Sequence, residues 1–345
     1  MSSSSDPDNE HDPEWTPREI ALHARRAPAL RRDFTGSRLE EILRTRESAI
    51  SWAIDQGLLH AQYQCRNHRI QMKFYVNRWY CGQFRCPKRD RGRRAGEEVS
   101  AARNTWFAHH HTPIQTSIRL MFCWTSGSDY EQTRTFCADH LGNVSQETIR
   151  DWFHYCRELV VEKFLDHESQ RGRIGGPGKI VQIDEAKFGR RKYHRGRAVE
   201  GHWVIGMVED GSHDLRLELC PENVRSADAL IPLIQKHVAE GSTIRTDQWR
   251  AYSSLSNHGY HHEVVNHSRE FVTEDGCHTN RIESMWRPMR AFFRGRLVSN
   301  DHFADHVVEY QWRRYCRLRK LEKFFLFLTY IKEKYPVHRP VPLYE

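Results

Sequence analysis

The stretch KIVQIDEAKFG, Lys179–Gly189, decides how the second half of the chain is interpreted. It is rich in β-branched residues and carries two adjacent acids, Asp184 and Glu185, which is typical of a strand that delivers a carboxylate to the end of a sheet. Two strand-like runs follow in HWVIGMVED and DLRLELC. A capped helix (SADALIPLIQKHVAEG) and two further strands (STIRTDQW and HHEVVNH) come next. This order predicts a mixed α/β domain around a central sheet.

Three acids lie where such a domain could gather them. Asp184 closes the first strand, Asp247 closes the fourth, and Glu283 lies on the amphipathic helix CHTNRIESMWRPMR, whose apolar face is expected to pack on the sheet. Converging carboxylates repel each other unless cations neutralise them, and Mg²⁺ or Mn²⁺ prefers oxygen ligands. Two such ions would support in-line displacement at phosphorus. The alternative is that each acid is an ordinary turn or helix-flank residue, and Glu185 is expected to point away and to be structural.

A second metal site is predicted nearer the N-terminus. CRNH at Cys65–His68 and CGQFRC at Cys81–Cys86 supply two pairs of closely spaced sulfur and nitrogen donors. Two such pairs are typical of a structural tetrahedral Zn²⁺ site, with Cys65, His68, Cys81 and Cys86 as its ligands. The alternative is a set of scattered thiols beside an incidental histidine.

The composition favours a polyanionic partner. The 345 residues carry a formal net charge of +8, and the isoelectric point is near 9.0. No run is long and apolar enough to span a membrane, and the N-terminus has no apolar signal core, so we expect an intracellular protein with no membrane partner. Two basic runs are expected to contact DNA, although such a run is more often a solvated surface. They comprise Lys88, Arg89, Arg91, Arg93 and Arg94, and Lys187, Arg190, Arg191, Lys192, Arg195 and Arg197.

Three helical patterns between about Thr105 and Glu168 resemble a helix-turn-helix, with the third helix beginning at Ser145. Base contacts would then come from its first turns, at Gln146, Thr148 and Arg150. The alternative is a three-helix unit that only packs against its neighbours. Tyr193 and Trp203 are candidates to stack on an unpaired end base, although an aromatic residue beside a sheet more often belongs to the core.

Three motifs resemble the Merlin superfamily of cut-and-paste DNA transposases and their bacterial insertion-sequence relatives. They are IDEAKFGRRKYHRGR, TDQWRAY and HTNRIES, with Trp286 shortly after the last. The resemblance covers about residues 58 to 330. It implies an RNase H-like catalytic domain with a DDE triad at Asp184, Asp247 and Glu283, a supporting basic residue at Arg290, and a small zinc ribbon. Some bacterial relatives use an asparagine as the third ligand, so Asn280 remains an alternative to Glu283.

The same resemblance implies a transposase that cleaves DNA at transposon ends and joins the freed 3′ hydroxyl to target DNA. Its partners would be terminal inverted repeats and target DNA, bound by a homodimer or a larger synaptic assembly. Two alternatives stay open: a domesticated DNA-binding regulator that does not cleave, and an RNase H-like nuclease without strand transfer. The location would be the nucleus in a eukaryotic host and the cytoplasm otherwise.

The expected organisation follows the chain, with a boundary in the glycine-rich stretch RGRIGGPGK. The segments are a disordered acidic tail (1–14), an N-terminal helical segment (15–57), a zinc-ribbon-like module (58–95), a helix-turn-helix-like DNA-binding domain (96–170), an RNase H-like catalytic domain (178–335) and a C-terminal tail (336–345).

Overall fold

The computed structural model describes residues 34–76, 80–88, 96–138, 144–189, 201–265, 279–296 and 298–337, together with the backbone of Glu14–Trp15. It divides into two compact units, Met1–Val160 with Lys320–Glu345, and Val161–Arg319. Many of the predicted DNA contacts lie outside the described residues: Arg89, Arg91, Arg93, Arg94, Arg190, Arg191, Lys192, Arg195 and Arg197. None of the helices within the described ranges is long and apolar enough to cross a membrane.

The first unit contains helices that pack through aromatic and aliphatic side chains. They are α1 (Gly36–Ile42), α2 (Arg46–Asp55), α3 (Ile114–Ser126) and α4 (Tyr130–Cys137), together with α5 (Gln146–Ser169), which extends into the second unit. The three helices expected from the helix-turn-helix pattern are therefore present as α3, α4 and α5. Asp129 caps α4 by accepting the N–H of Gln132 at 2.8 Å, and this fixes where α4 begins.

A small antiparallel sheet accompanies these helices. Its strands are β1 (Glu14–Trp15), β2 (Lys73–Tyr75), β3 (Gln83–Arg85) and β4 (Glu98–Ser100), in that spatial order. The sequence predicted a disordered tail up to residue 14 and a helical segment from residue 15, but Glu14 and Trp15 pair with Tyr75 and Phe74. The free edge of β2 offers unpaired N–H and C=O groups, and backbone pairing satisfies them whatever the local helical propensity.

The second unit is built on a five-stranded mixed sheet in the order β11-β10-β6-β7-β8. The strands are β5 (Ile174–Gly175), β6 (Ile180–Phe188), β7 (His202–Glu209), β8 (Leu215–Leu219), β9 (Val238–Ala239), β10 (Thr243–Asp247) and β11 (His261–Val265), of which β5 and β9 form a separate parallel pair. β10 runs parallel to both β6 and β11, whereas β6, β7 and β8 are antiparallel neighbours. The mixed α/β architecture predicted from the strand and helix pattern is confirmed.

Helices cover both faces of this sheet. α6 (Ala227–His237) covers one face, and α7 (Asn280–Phe293) and α8 (Phe303–Leu318) cover the other. Because successive side chains of a strand point to opposite faces, Val181 and Ile183 of β6 join the α6 core, whereas Ala186 and Phe188 join the α7 core. Gln182 and Asp184 thereby face α7, and Glu185 faces α6.

The last helix, α9 (Lys323–Lys334), belongs to the first unit. Its Phe324 ring stacks at 6.2 Å from Trp52, and its Phe327 ring lies 5.7 Å from Trp124. The sequence placed this helix in the catalytic domain, which was expected to run to residue 335. That boundary is wrong because an amphipathic helix packs wherever a matching apolar surface exists, and the first unit supplies it.

Gly206 of β7 allows α7 to approach the sheet. A Cβ atom built on Gly206 would lie 2.7 Å from Trp286 Cη2 and 3.0 Å from Ile282 Cδ1. Trp286, Ile282 and Met289 are the buried residues of α7. The apolar spacing predicts burial of Ile282, Met285 and Met289, and Met285 is only partly buried. A residue without a side chain is therefore required at the point where the indole of Trp286 lies on the strand.

We expect Gly206→Ala to destabilise the protein by about 1–3 kcal/mol, because the added methyl group overpacks the contact with Trp286. Chemical denaturation with the loss of tertiary tryptophan signal would measure this change. Gly172→Ala is the matched control, since a Cβ atom there meets nothing within 4 Å. Equal stability of the two variants would contradict this account of Gly206.

Candidate functional site

Two strands bring the aspartates to equivalent positions. The parallel pairing of β10 with β6 ends with Arg245 opposite Gln182. Two residues further along each strand come Asp247 and Asp184. Since the strands are parallel neighbours and side chains alternate, both carboxylates lie on the α7 face of the sheet, at adjacent positions.

The third acid is held near them by the start of α7. The side-chain oxygen of Gln182 accepts the backbone N–H groups of Arg281 at 3.1 Å and Ile282 at 3.3 Å, which fixes the first turn of α7 beside β6. Glu283 is exposed in that turn, and its Oε1 accepts the hydroxyl of Thr279 at 2.7 Å. Thr279 precedes the helix, but it uses its hydroxyl on Glu283 and makes no side-chain cap.

The pKa of Asp184 is affected by burial, by a hydrogen bond and by the charges of the other two acids. Its Oδ2 accepts the indole N–H of Trp286 at 2.7 Å. Burial raises the pKa of Asp184, the hydrogen bond from Trp286 opposes this, and the negative charges of Asp247 and Glu283 raise the pKa further. Asp184 therefore lies close enough to Asp247 and Glu283 for their charges to act on it. Within the described residues, however, the three acids do not form a set of three ligand atoms that all lie within 4.8 Å of one another.

Three other predicted residues lie on the strand and the helix that carry Asp184 and Glu283. The guanidinium of Arg290 donates to the carbonyl of Lys187 at 3.4 Å and lies 5.2 Å from the centre of the Phe188 ring. It thus lies beside the end of β6, on the helix that carries Glu283. The ammonium of Lys187 lies 5.5 Å from the Trp203 ring, and Asn280 is exposed at the first position of α7.

Sequence reasoning missed a buried pair next to the acids. Glu185 faces α6 and is only 9% exposed. It accepts the hydroxyl of Tyr252, and Arg225 Nη1 lies 3.9 Å from its second oxygen. Burial raises the pKa of Glu185 from an ordinary 4.5 to about 7, with the Tyr252 hydrogen bond lowering it and the charges of Asp247 and Asp184 adding to the rise. The expectation that Glu185 points to the opposite face agrees with this position, but nothing in the sequence indicated its partner Tyr252.

A second group of ligands occurs in the first unit. Cys65 Sγ, His68 Nδ1 and Cys86 Sγ form the one cluster of His, Cys, Asp or Glu ligand atoms found in the described part of the chain, with 3.1 Å between His68 and Cys86 and 3.5 Å between His68 and Cys65. Burial raises the pKa of the Cys65 thiol, but backbone N–H groups of Glu97, His68 and Asn67 lower it to about 7. This environment favours a thiolate, the form that binds metals.

Cys81, the fourth predicted ligand, does not join this group. Its thiol is buried elsewhere, and burial raises its pKa to about 12 despite the nearby charge of Arg46. The spacing CGQFRC indicated that Cys81 and Cys86 would converge. Instead, the two cysteines flank β3 along the chain, and only Cys86 joins the ligand cluster. The structure thus brings together three of the four predicted ligands.

The predicted DNA-contacting residues within the described ranges lie at the surface. Ser145 caps α5 by accepting the N–H of Thr148 at 3.0 Å. Gln146 and Arg150 are exposed in the first turns of that helix, and Arg150 pairs with Glu147 at 3.5 Å. Lys88 is exposed just after Cys86.

The fold and the acid site define an α/β protein with carboxylates gathered just beyond the point where the pairing of two parallel strands ends. Asp247 closes β10 as the sequence predicted, whereas Asp184 lies at the middle of β6, because its pairing with β7 carries that strand on to Phe188. Residues 172–314 match the model of the ISXO2-like transposase domain. An uncharacterized transposase-like protein of Haemophilus influenzae is 32% identical over 94 residues, which are 26% of this chain and 73% of that protein. The chain therefore belongs to the ISXO2-like transposase family. The resemblance to bacterial insertion-sequence transposases seen in the motifs is confirmed.

Solved structures of Mos1 transposase also align with the chain. The paired-end complex with the left transposon end aligns with a TM-score of 0.24 and 14% identity, over 64% of this chain and 95% of that chain. The pre-cleavage Mos1 transpososome aligns with a TM-score of 0.25 and 13% identity, again over 64% of this chain and 95% of that chain. The Mos1 strand transfer complex aligns with a TM-score of 0.24 and 12% identity, over 64% of this chain and 75% of that chain.

We expect Tyr252→Phe to destabilise the metal-free protein more at pH 8 than at pH 5. The folded state raises the pKa of Glu185, so this carboxyl costs progressively more stability as pH rises from about 4.5 through about 7. Removing the hydroxyl leaves the ionised form without its donor, at a cost of about 1–3 kcal/mol, and leaves the neutral form less affected. Urea denaturation in EDTA at the two pH values would measure the difference.

Tyr260→Phe is the matched control for this measurement. Tyr260 is also buried, but its hydroxyl donates to the backbone carbonyl of Val238 at 3.1 Å. A carbonyl does not titrate, so Tyr260→Phe is expected to lower the free energy of unfolding by the same amount at both pH values. A Tyr252→Phe effect that is equally independent of pH would refute the assignment to Glu185.

Proposed function

We propose that this member of the ISXO2-like family is an active DNA transposase whose catalytic acids are Asp184, Asp247 and Glu283. The observation that carries the proposal is the alignment of Asp184 and Asp247 on adjacent parallel strands, two residues beyond the last paired residues. Glu283 lies on the helix fixed beside them by Gln182. The DDE resemblance implies one acid on the first strand of the sheet, one on the fourth and one on the following helix. The three acids occur in this order, which supports an RNase H-like assignment for this unit.

The donor set fits divalent cations. It consists of carboxylate oxygens, which hard ions such as Mg²⁺ and Mn²⁺ prefer, and the mutual repulsion at Asp184 is the kind that a bound cation relieves. When bound to these acids, two such ions would activate an attacking oxygen and stabilise the leaving one. We favour Glu283 over Asn280 as the third ligand because a charged oxygen binds a hard cation better than an amide does.

The chain's own groups orient each acid. The Trp286 indole N–H holds Asp184 at 2.7 Å, the Thr279 hydroxyl holds Glu283 at 2.7 Å, and the backbone N–H of Trp249 donates to Asp247 at 3.1 Å. In the proposed reaction water attacks a phosphodiester at the transposon end, and the broken bond leaves a 3′ hydroxyl. That hydroxyl then attacks a target phosphodiester and displaces a new 3′ hydroxyl, so no covalent enzyme intermediate is required.

DNA is the proposed partner on the basis of charge and placement. Arg290 lies on the helix that carries Glu283, and Lys187 lies on the strand that carries Asp184; both are proposed to neutralise backbone phosphates. The exposed residues Gln146 and Arg150, with Thr148 beside them on the first turns of α5, are proposed to contact transposon-end DNA. A homodimer or larger assembly would pair two terminal inverted repeats, and in a eukaryotic host this would take place in the nucleus.

Cleavage and strand transfer on a labelled donor flanked by the inverted repeats found beside the coding sequence test this proposal. Asp184→Asn, Asp247→Asn and Glu283→Gln are each expected to lower activity by more than about 100-fold. Losing a group that only supports a metal ligand already costs about 10- to 100-fold, and losing the ligand itself costs more. DNA binding and thermal stability should persist in all three variants.

Two controls define how the result is interpreted. Glu263→Gln changes an exposed glutamate of β11 that pairs with Arg245 at 2.7 Å and should leave activity intact. Asn280→Ala should lower activity far less than Glu283→Gln does. A larger loss of activity in Asn280→Ala would make Asn280 the third ligand. Wild-type DNA binding without cleavage would favour a domesticated regulator, and cleavage without joined products would favour a nuclease.

We propose that Cys65, His68 and Cys86 hold a structural Zn²⁺ ion. Two thiolates and an imidazole suit zinc, and the backbone N–H donors around Cys65 stabilise the thiolate before any metal binds. Their position between short antiparallel strands supports a zinc-ribbon-like module. A tetrahedral site needs a fourth ligand, which could be Cys81 after a local rearrangement or a solvent molecule.

We expect Cys86→Ser to lose the zinc that the purified wild-type protein retains after dialysis, as measured by elemental analysis. The loss should destabilise the first unit because metal-binding free energy is also folding free energy. Cys81→Ser is the matched control and should retain the metal. Loss of zinc from both variants would instead restore the four-ligand set predicted from the sequence, and wild-type protein without zinc would disprove the site.

A further inference from the structure

Trp249 is an exposed aromatic residue at the edge of the acid site. It follows Asp247 by two residues, and its backbone N–H donates to the Asp247 carboxylate at 3.1 Å. The residue is 41% exposed, although indole surface is ordinarily buried. The backbone of Trp249 thus contacts a proposed catalytic acid while its side chain remains exposed. Such a side chain either binds a ligand at the site or only supports the acid.

The side chain is held in place by Arg225. The indole N–H of Trp249 donates to the backbone carbonyl of Arg225 at 3.2 Å, and the Arg225 guanidinium lies 4.4 Å from the centre of the Trp249 ring. The same guanidinium lies 3.8 Å from the centre of the Trp203 ring. Arg225 is therefore stacked between two indoles, and it also approaches Glu185 at 3.9 Å.

This arrangement leaves one aromatic surface available. Arg225 lies against the Trp249 ring, and Trp249 nevertheless remains 41% exposed. Trp203, which the sequence offered as a base-stacking candidate, carries Arg225 and Lys187 against its ring. Tyr193, the other candidate, lies outside the described residues. Among the described aromatic residues in contact with Arg225, Trp249 is therefore the exposed one.

We propose that Trp249 stacks on an unpaired nucleobase of the DNA strand that is processed at the acids. The inference rests on the proposed function and adds a base-binding position to it. A flat π face held rigidly by a hydrogen bond and a cation–π contact suits a base, because stacking accepts any base and loses little entropy when the platform is already ordered. Bases inside a duplex have both faces covered, so only an end base, an overhang or an extruded base could occupy this position.

A binding measurement without catalysis tests the proposal. The probe is a DNA duplex with a 3′ single-stranded overhang that carries 2-aminopurine, compared with a blunt duplex of the same paired sequence, both without added Mg²⁺ or Mn²⁺. Wild-type protein should bind the overhang more tightly and change its fluorescence. Trp249→Ala should weaken overhang binding by about 5-fold or more, the usual loss when a stacking aromatic is truncated, and should leave blunt-duplex binding unchanged.

Companion variants separate stacking from folding. Trp249→Phe keeps an aromatic face and should retain most of the overhang preference, whereas Trp249→Leu keeps apolar bulk and should lose it. Tyr130→Ala truncates a comparably exposed aromatic residue in the first unit and should have no selective effect. Circular dichroism and thermal melting would establish that each variant is folded.

Three outcomes would overturn the proposal: equal overhang binding by wild type and Trp249→Ala, equal weakening of both probes, and no preference for the overhang in wild-type protein. Because the readout needs neither metal nor cleavage, it is independent of the test of Asp184, Asp247 and Glu283. A selective loss in Trp249→Ala alongside an inactive wild-type protein would support the stacking position and reject the catalytic proposal.

Discussion

The hydrogen bond from the Trp286 indole to Asp184, at 2.7 Å, is the contact on which the rest of the acid site depends. It joins the middle of β6 to the middle of α7, and it can form because Gly206 on the neighbouring strand has no side chain to block the ring. Gln182 makes a second connection to the start of the same helix. With two points fixed, the position of Glu283 relative to the strand is determined by helix geometry, and the neighbouring apolar residues need only fill the space between.

The site is assembled against an electrostatic cost. The charges of Asp247 and Glu283 raise the pKa of Asp184, and the charges of Asp247 and Asp184 raise the pKa of Glu185, in both cases in addition to the effect of burial. Natural sequences tolerate such unfavourable clusters where function requires them, and stability is recovered from the surrounding contacts. Here the recovery is local: Tyr252 and Arg225 act on Glu185 from the α6 side, and Trp286 acts on Asp184 from the α7 side. Asp184 and Glu185 are adjacent in β6, but each is stabilised by different side chains on its own face of the sheet.

The sequence predicted those features that follow from periodicity and missed those that follow from contacts between distant residues. Alternation in VQIDEA indicates a strand and separates Asp184 from Glu185 by face, and helical spacing identifies Ile282 and Met289. Stacking of Arg225 between two indoles depends on backbone paths that no local pattern contains. Cys81 illustrates the same limit, because a spacing of cysteines fixes their separation along the chain but not the direction in which each thiol points. For α9 the sequence does not show which apolar surface the helix covers, and the structure places it in the first unit.

The segment TDQWRAY shows how much a single strand end can contribute. Asp247 points to the α7 face, Trp249 reaches the exposed edge, and Tyr252 turns back beneath the sheet to reach Glu185 on the α6 face. These three directions arise because the regular strand stops at Asp247 and the chain turns into a short 3₁₀ helix at Arg250–Tyr252. A strand continued past Asp247 would confine its side chains to two opposite faces. Ending the strand at the acid is therefore what allows one short segment to place a carboxylate, hold an aromatic surface beside it and buffer the neighbouring buried charge.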